Sequence, residues 1–306
     1  VTPDAALVEL LHALQRHGYR FTAVTPATHA TVLGRSPPRR PTLRDVFGWN
    51  RPFEPADLEP ELLALLEKAE AVAGHGGKLR SRVRVASLGN DLFIHWAFPT
   101  DEVDAVFFGP DTYRFVRFLQ EQVPTLGVVR HIVDMGAGTG AGGIGISRSL
   151  GEARVTLVDV NPTALRYAAI NAEAAGAGIE LIQSDRVPGG FDILIANPPY
   201  MIDTAGRSYR DGGDLLGGEV ALHWIEQGLA SLGEGGTILL YTGAAYVDGA
   251  SPLILALERE CRSAGASFTA NEIDPDVFGE ELTQPAYREV ERIAAIGIRI
   301  DARKSN

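Results

Sequence analysis

Apolar positions recur at helical spacing twice in the first quarter of the chain. Leu7, Leu10, Leu11 and Leu14 mark one face of residues 4–16, and Leu58, Leu62, Leu65, Leu66 and Ala69 mark one face of 56–73, so both segments are predicted amphipathic helices. The intervening GRSPPRRPTLRDVFGWNRPFEP carries too many prolines for a long helix. KLRSRVRVASLGNDLFIHWAF then reads as two β-like runs around a hairpin turn at Leu88-Gly89-Asn90-Asp91. FGPDTYRFVRFLQEQ reads as a helix opened by Pro110, with Phe115, Phe118 and Leu119 on one face.

From residue 131 the period changes. HIVDMG, ARVTLVDV, IELIQS, FDILIAN and GTILLYTG read as strands, separated by helical stretches near 141–150, 162–175, 217–232 and 251–264. Apolar, β-branched runs alternating with helices imply a parallel sheet covered on both faces. ASFTANEID and RIAAIGIRI bring the count to seven strands, the last two as an antiparallel insertion at the sheet edge. A boundary is therefore expected near residue 125. Residues 1–125 would form a smaller domain of helices plus a β-hairpin, and 126–306 an α/β domain.

Composition narrows the function classes. At 306 residues and 45% hydrophobic the chain can bury a proper core, and no apolar run approaches the roughly 18 residues of a membrane helix. The start, VTPDAALVEL, lacks the basic and apolar regions of an export signal, so a cytoplasmic location away from membranes is expected. Cys261, the single cysteine, forms no intramolecular disulfide and one thiol makes no zinc site. The first 130 residues balance 15 Lys+Arg against 15 Asp+Glu, which puts the whole net charge of −11 in the remainder. Such a half does not attract phosphate backbones by its own field. The N-terminal part holds the basic groups: Arg35, Arg39, Arg40, Arg44 and Arg51, and the alternating Arg80, Arg82 and Arg84, expected on one face of a strand.

Four strand ends carry the chemistry. In VDMGAGTGAGGIGI a strand ends at Asp134, and Gly136, Gly138 and Gly140 follow before a helix, allowing a tight turn with backbone N–H groups aimed at a ligand. A G-x-G-x-x-G dinucleotide spacing threads through the same loop, so spacing alone leaves the cofactor open. Asp159 ends the next strand, where an acidic residue accepts from ribose hydroxyls; alone it also suits a helix cap before Asn161-Pro162. Asp185, beside Ser184, ends the third strand, where an adenine would lie or where a loop carboxylate is merely solvated. The fourth strand, FDILIAN, stops on Asn197-Pro198-Pro199-Tyr200. Two prolines fix φ and leave carbonyls in a stiff arrangement beside the Asn197 amide oxygen, an arrangement suited to a planar NH₂ group, with the Tyr200 ring against its π face.

The set DMGAGTG, VDVN, QSD and NPPY, in this order and at these separations, resembles class I S-adenosylmethionine-dependent methyltransferases. NPPY is similar to that of the amino-methylating group, the N6-adenine and the HemK/PrmC release-factor glutamine methyltransferases. The resemblance covers about residues 105–300 and implies a Rossmann-like seven-stranded methyltransferase sheet with S-adenosyl-L-methionine as cofactor. It implies that Gly136, Gly138 and Gly140 hold the methionine end of the cofactor, Asp159 its ribose, and Ser184 and Asp185 its adenine, with Asp134 also among the cofactor-binding residues. Asn197, Pro198 and Tyr200 are then catalytic at the acceptor nitrogen, Asn197 also bordering the cofactor. GPDTYRFV lies where HemK-like proteins have a proline-acid-threonine stretch, which adds Thr112 to the cofactor residues.

A delocalised nitrogen is a poor nucleophile, so acceptors on both N–H groups must return its lone pair, and no general base is needed. The polar loop MIDTAGRSYRDGGDLLGG follows, which offers Tyr209, Arg210 and Asp211 as substrate-binding residues or as a lid. The family's usual Glu-Pro wording is absent there. The expected activity is N-methylation of a protein glutamine, in a macromolecule such as a release factor. The alternative is an adenine or other base amine in RNA or DNA, unpaired or flipped out, with the arginines on its backbone. A nucleotide-binding scaffold without activity would have no use for an amine clamp.

Overall fold

Thr2 accepts the Ala5 N–H and Pro3 opens the first turn, which starts α1 (Pro3–Arg16); its Leu7, Leu10, Leu11 and Leu14 are buried, as their spacing predicts. The computed structural model describes residues 2–203 and 206–302. An unpredicted helix follows, α2 (Pro26–Leu33), capped by Thr25. The predicted helix over 56–73 contracts to α3 (Pro60–Lys68), because a 3-10 turn precedes it and Glu70 takes a φ of 54° just after it. The chain then enters two antiparallel hairpins, β1 (Val72–His75) with β2 (Lys78–Ser81), and β3 (Val83–Leu88) with β4 (Asp91–Trp96). The second turns at Gly89-Asn90 as expected.

The alternating arginines do not form one solvent face. The chain bends at Arg82 between β2 and β3, so the two-residue period is broken there. Arg84 is buried, its Nε donating to the Gly48 carbonyl, and Arg80 donates to the carbonyls of Asn50 and Phe98. Only Arg82 of the three is exposed.

The second half alternates α4 (Pro110–Gln122), β5 (His131–Met135), α5 (Ala141–Ser147), β6 (Arg154–Asp159), α6 (Pro162–Ala175), β7 (Glu180–Gln183) and β8 (Ile193–Ala196). The short α7 (Asp214–Gly217) and α8 (Glu219–Ser231) lead to β9 (Thr237–Tyr246), α9 (Pro252–Ser263), β10 (Ser267–Asp274) and β11 (Arg292–Asp301). Seven strands form one sheet in the order β10-β11-β9-β8-β5-β6-β7. Those from β5 to β9 are parallel, while β11 runs antiparallel between β9 and β10. The antiparallel element is thus one strand inside the edge, with β10 outside it.

Register places the site. Met135 pairs with Val158 on one side and with Ala196 on the other, so the Gly136 loop, Asp159 and Asn197 leave the sheet at one end. Strand order reverses at β5, and an open α/β sheet forms its ligand crevice at such a switch.

The N-terminal core does not close on itself. Tyr167, Ile170 and Ala164 of α6 belong to the cluster built around α1, α3 and the hairpins. At this seam Asn171 is fully buried: its Oδ1 accepts the Ile94 N–H at 2.7 Å, and its Nδ2 donates to the Ile94 and Thr139 carbonyls at 3.1 and 3.0 Å. Removing it leaves buried backbone groups unpaired, each costing about 1–3 kcal/mol. Asn171→Ala is therefore expected to lower unfolding stability by about 3 kcal/mol in denaturant titration; an unchanged midpoint would contradict this role. Among the described residues, no helix is long and apolar enough to cross a membrane.

Candidate active site

The loop after β5 turns at Gly136, whose φ is +69° and whose missing Cβ leaves room for Trp224; a Cβ there would sit 2.4 Å from that ring. Gly138 and Gly140 also have positive φ, and Gly140 caps α5. Asp159 fastens this loop, its Oδ2 accepting the Gly138 N–H at 2.8 Å while Oδ1 accepts that of Asn161 at 2.9 Å. It therefore serves the turn and still carries lone pairs toward the cavity it lines. Burial raises the Asp159 pKa, opposed by these N–H donors.

Asp134 is buried beneath the loop and accepts the Gly143 N–H at 2.7 Å. Burial lifts its pKa to about 7, against that hydrogen bond and with help from Asp159. Thr112 caps α4, its hydroxyl accepting the Gly109 N–H, and Ser184 bonds locally to Arg186. Asp185 is exposed. Asp134, Gly136, Gly138, Asp159, Thr112, Ser184 and Asp185, but not Gly140, line one cavity of about 1170 Å³, together with Asn197, Pro198 and Tyr200. This exceeds the roughly 300–1,000 Å³ of a single small-molecule pocket, so a cofactor and an acceptor side chain fit together.

At the acceptor end, the Asn197 Oδ1 is buried and accepts no hydrogen bond among the described residues. The buried Pro198 carbonyl likewise accepts none from them. Tyr200 packs flat on β9 because residue 243 is glycine; a Cβ there would lie 2.3 Å from its ring. Phe278 meets the same ring edge-on at 5.9 Å.

Sequence reasoning missed a buried carboxylate beside this ring. Asp111, one residue before Thr112, is 4% exposed and its Oδ1 accepts the Tyr241 hydroxyl at 2.7 Å and Arg114 Nη1 at 3.2 Å. Arg114 also donates to Asp274 at 2.9 Å. Burial, and then the Asp111 carboxylate, push the Tyr200 hydroxyl pKa well above its ordinary value, so it stays a protonated donor. An acid at the start of a helix beside a motif threonine was the only signal available.

The loop after Tyr200 is tied down. Tyr209 stacks on Phe107 with centroids 5.6 Å apart and donates to the Thr100 carbonyl at 2.8 Å. Arg210 pairs with the buried Glu281 and faces Asp203 at 3.6 Å. Asp211 accepts N–H groups of Asp203 and Gly213. These three side chains line the cavity while bonding to other protein groups, Tyr209 and Arg210 outside the loop at Thr100 and Glu281, and Asp211 within it. Pro26, Ala27 and Ala30 of α2, with Phe98–Thr100, line the cavity as well.

Residues 108–240 match the family model of the methyltransferase small domain. This stretch is a methyltransferase domain. The release factor glutamine methyltransferase of Deinococcus radiodurans is 28% identical over 196 residues, 62% of this chain and 69% of that protein. Its counterpart in Rhodopirellula baltica is 27% identical over 49% of this chain and 54% of its own length. A solved structure from Pyrococcus horikoshii, assigned as a transferase, shares the fold with a TM-score of 0.50 at 14% identity, over 80% of this chain and 82% of that one. The protein is an enzyme, and S-adenosylmethionine is the cofactor of the methyltransferase.

The residues present fit that cofactor: a glycine turn open at Gly138, a carboxylate with spare lone pairs at the β6 end, and a buried acid suited to a cationic ligand. Asp134 gives this a pH signature. With a folded pKa near 7 against 3.8 unfolded, the native state holds a proton that the unfolded chain releases, so stability falls as pH rises from about 4 to 7. A cationic ligand favours the ionised form, so cofactor affinity is expected to rise with pH up to about 7. Calorimetry at pH 6.5 in buffers of different ionisation enthalpy should show proton release on binding, abolished in Asp134→Asn; zero release in the unsubstituted protein would contradict the assignment.

Proposed function

We propose that the enzyme methylates the side-chain amide nitrogen of a glutamine in a protein substrate. The observation that carries this reading is the pair of unused acceptors, Asn197 Oδ1 and the Pro198 carbonyl, buried on the cavity wall. An amide NH₂ has two N–H groups and needs two acceptors. Held between them, its lone pair is drawn back from the carbonyl toward nitrogen, and the two fixed dipoles stabilise the charge that develops there. Tyr200, kept protonated and flat against Gly243, orients the amide plane. No side chain is required to take the proton, because the methylated cationic nitrogen is strongly acidic.

S-adenosylmethionine, when bound, supplies an electrophilic methyl group on a sulfonium. Gly136, Gly138, Gly140 and Asp134 would hold its methionine end, Asp159 its ribose, Ser184 and Asp185 its adenine, and Thr112 would border it. The Tyr209 to Asp211 loop screens the chamber from water and frames the acceptor.

A protein is favoured over a nucleic acid by the charge around the cavity. Asp101, Asp185, Glu219, Glu226 and Glu280 are exposed on its lining, a field that repels phosphate. The names of the curated relatives point the same way, to a release factor as the substrate protein. Labelled methyl transfer into cell extract, split between protease and nuclease digestion, tests the reading: the label should be lost with protease and appear as N5-methylglutamine. Label lost with nuclease alone would assign a base amine instead.

A further inference from the structure

We infer that the proline-rich loop 34–44 docks an acidic surface patch on the protein that carries the acceptor glutamine; this rests on the glutamine reading above. In a chain of net charge −11, this segment holds Arg35, Arg39, Arg40 and Arg44 and no acidic residue. All four are exposed, and none is in an ion pair among the described residues. The first acid beyond them, Asp45, faces Arg51 at 3.7 Å and binds Thr42, so it does not neutralise the loop. Pro37, Pro38 and Pro41 fix φ at three positions, which lowers the entropy lost when the loop is held by a partner.

The loop is rooted at the active site. α2 presents Pro26, Ala27 and Ala30 to the cavity and then runs out to Leu33. Ala30, which lines the cavity, lies four residues before Gly34, about 6 Å along a helix, so the loop begins beside the chamber wall. Arg51 fixes that root, its Nη2 donating to the Val32 carbonyl at 2.7 Å.

Signs then select the partner. The loop is positive and the acidic residues exposed on the cavity lining are negative, so the surface offered to a partner changes sign between them. An RNA strand, uniformly negative, is drawn to one end and repelled at the other. A protein with an acidic patch beside an uncharged or basic acceptor segment satisfies both.

The test compares the unsubstituted enzyme with R35E/R39E/R40E, whose exposed positions leave the core untouched. With a purified bacterial release factor as acceptor, KM for the protein should rise about tenfold and kcat stay unchanged. A short uncharged glutamine peptide should show no change in either constant. Equal KM values for the release factor would overturn the inference. Should the unsubstituted enzyme label neither acceptor, the glutamine reading fails, and docking is decided without catalysis by fluorescence anisotropy of labelled poly-glutamate and of single-stranded RNA. Binding of poly-glutamate that is lost in the variant and exceeds RNA binding at equal ionic strength supports the loop's role. RNA bound as tightly, or poly-glutamate binding unaffected by the variant, overturns it.

Discussion

Asn197→Ala is expected to lower kcat by roughly a hundred- to a thousandfold while leaving S-adenosylmethionine affinity within about twofold, the scale on which loss of one preorganised charge-stabilising group acts. The reason is the position of its Oδ1, buried, unpaired and on the same wall as the Pro198 carbonyl. Alanine deletes one of two acceptors, so the amide is held by one N–H and its lone pair stays delocalised. Neighbouring structure loses little, because Oδ1 accepts no protein hydrogen bond. Calorimetry gives the cofactor affinity and labelled methyl transfer gives kcat. Near-normal turnover in Asn197→Ala would refute the amide clamp, whereas joint loss of turnover and cofactor binding would move Asn197 to a cofactor role.

Asp111→Asn is expected to lower kcat about tenfold to a hundredfold, again with cofactor affinity little changed. The carboxylate holds Tyr241 at 2.7 Å and Arg114 at 3.2 Å and faces the Tyr200 hydroxyl. Asparagine keeps the shape but loses the charge and turns one oxygen into an NH₂ group that cannot accept, so the Tyr241–Arg114 cluster beside Tyr200 loses its anchor. Small misplacements of an orienting group cost up to about a hundredfold. KM for the acceptor should rise less than kcat falls, and Asp111→Glu should recover part of the activity. A purely structural role predicts a lower melting temperature with unchanged kcat in the folded fraction, and that result would remove Asp111 from the site.

The motifs at the strand ends were legible because each is local: an apolar run fixes the strand, and the residues that leave it fix the chemistry. The five parallel strands and the two late strands, β10 and β11, followed from the same runs. Asp111, Tyr241 and Arg114 were not legible as a group, because the contact spans 130 positions and no local pattern joins a helix start to the middle of β9. α2 was missed because PATHATVL has no helical apolar period and three β-branched residues. The arginine alternation misled because a two-residue period means one face only along an unbroken strand. The bend at Arg82 ended the strand, and the guanidinium of Arg84 turned inward to the Gly48 carbonyl.

The Asn171 seam has a consequence for engineering. α6 starts at the Asn161 cap, which sits two residues beyond Asp159 and donates to the Asp104 carbonyl at 2.7 Å, and farther along it completes the N-terminal core. One helix thus belongs to both the N-terminal core and the methyltransferase sheet. Swapping the first hundred residues for those of a relative would strip Tyr167 and Ile170 of their neighbours and orphan Asn171. Substrate preference in this protein is therefore better retuned by point changes in exposed loops than by exchanging whole modules.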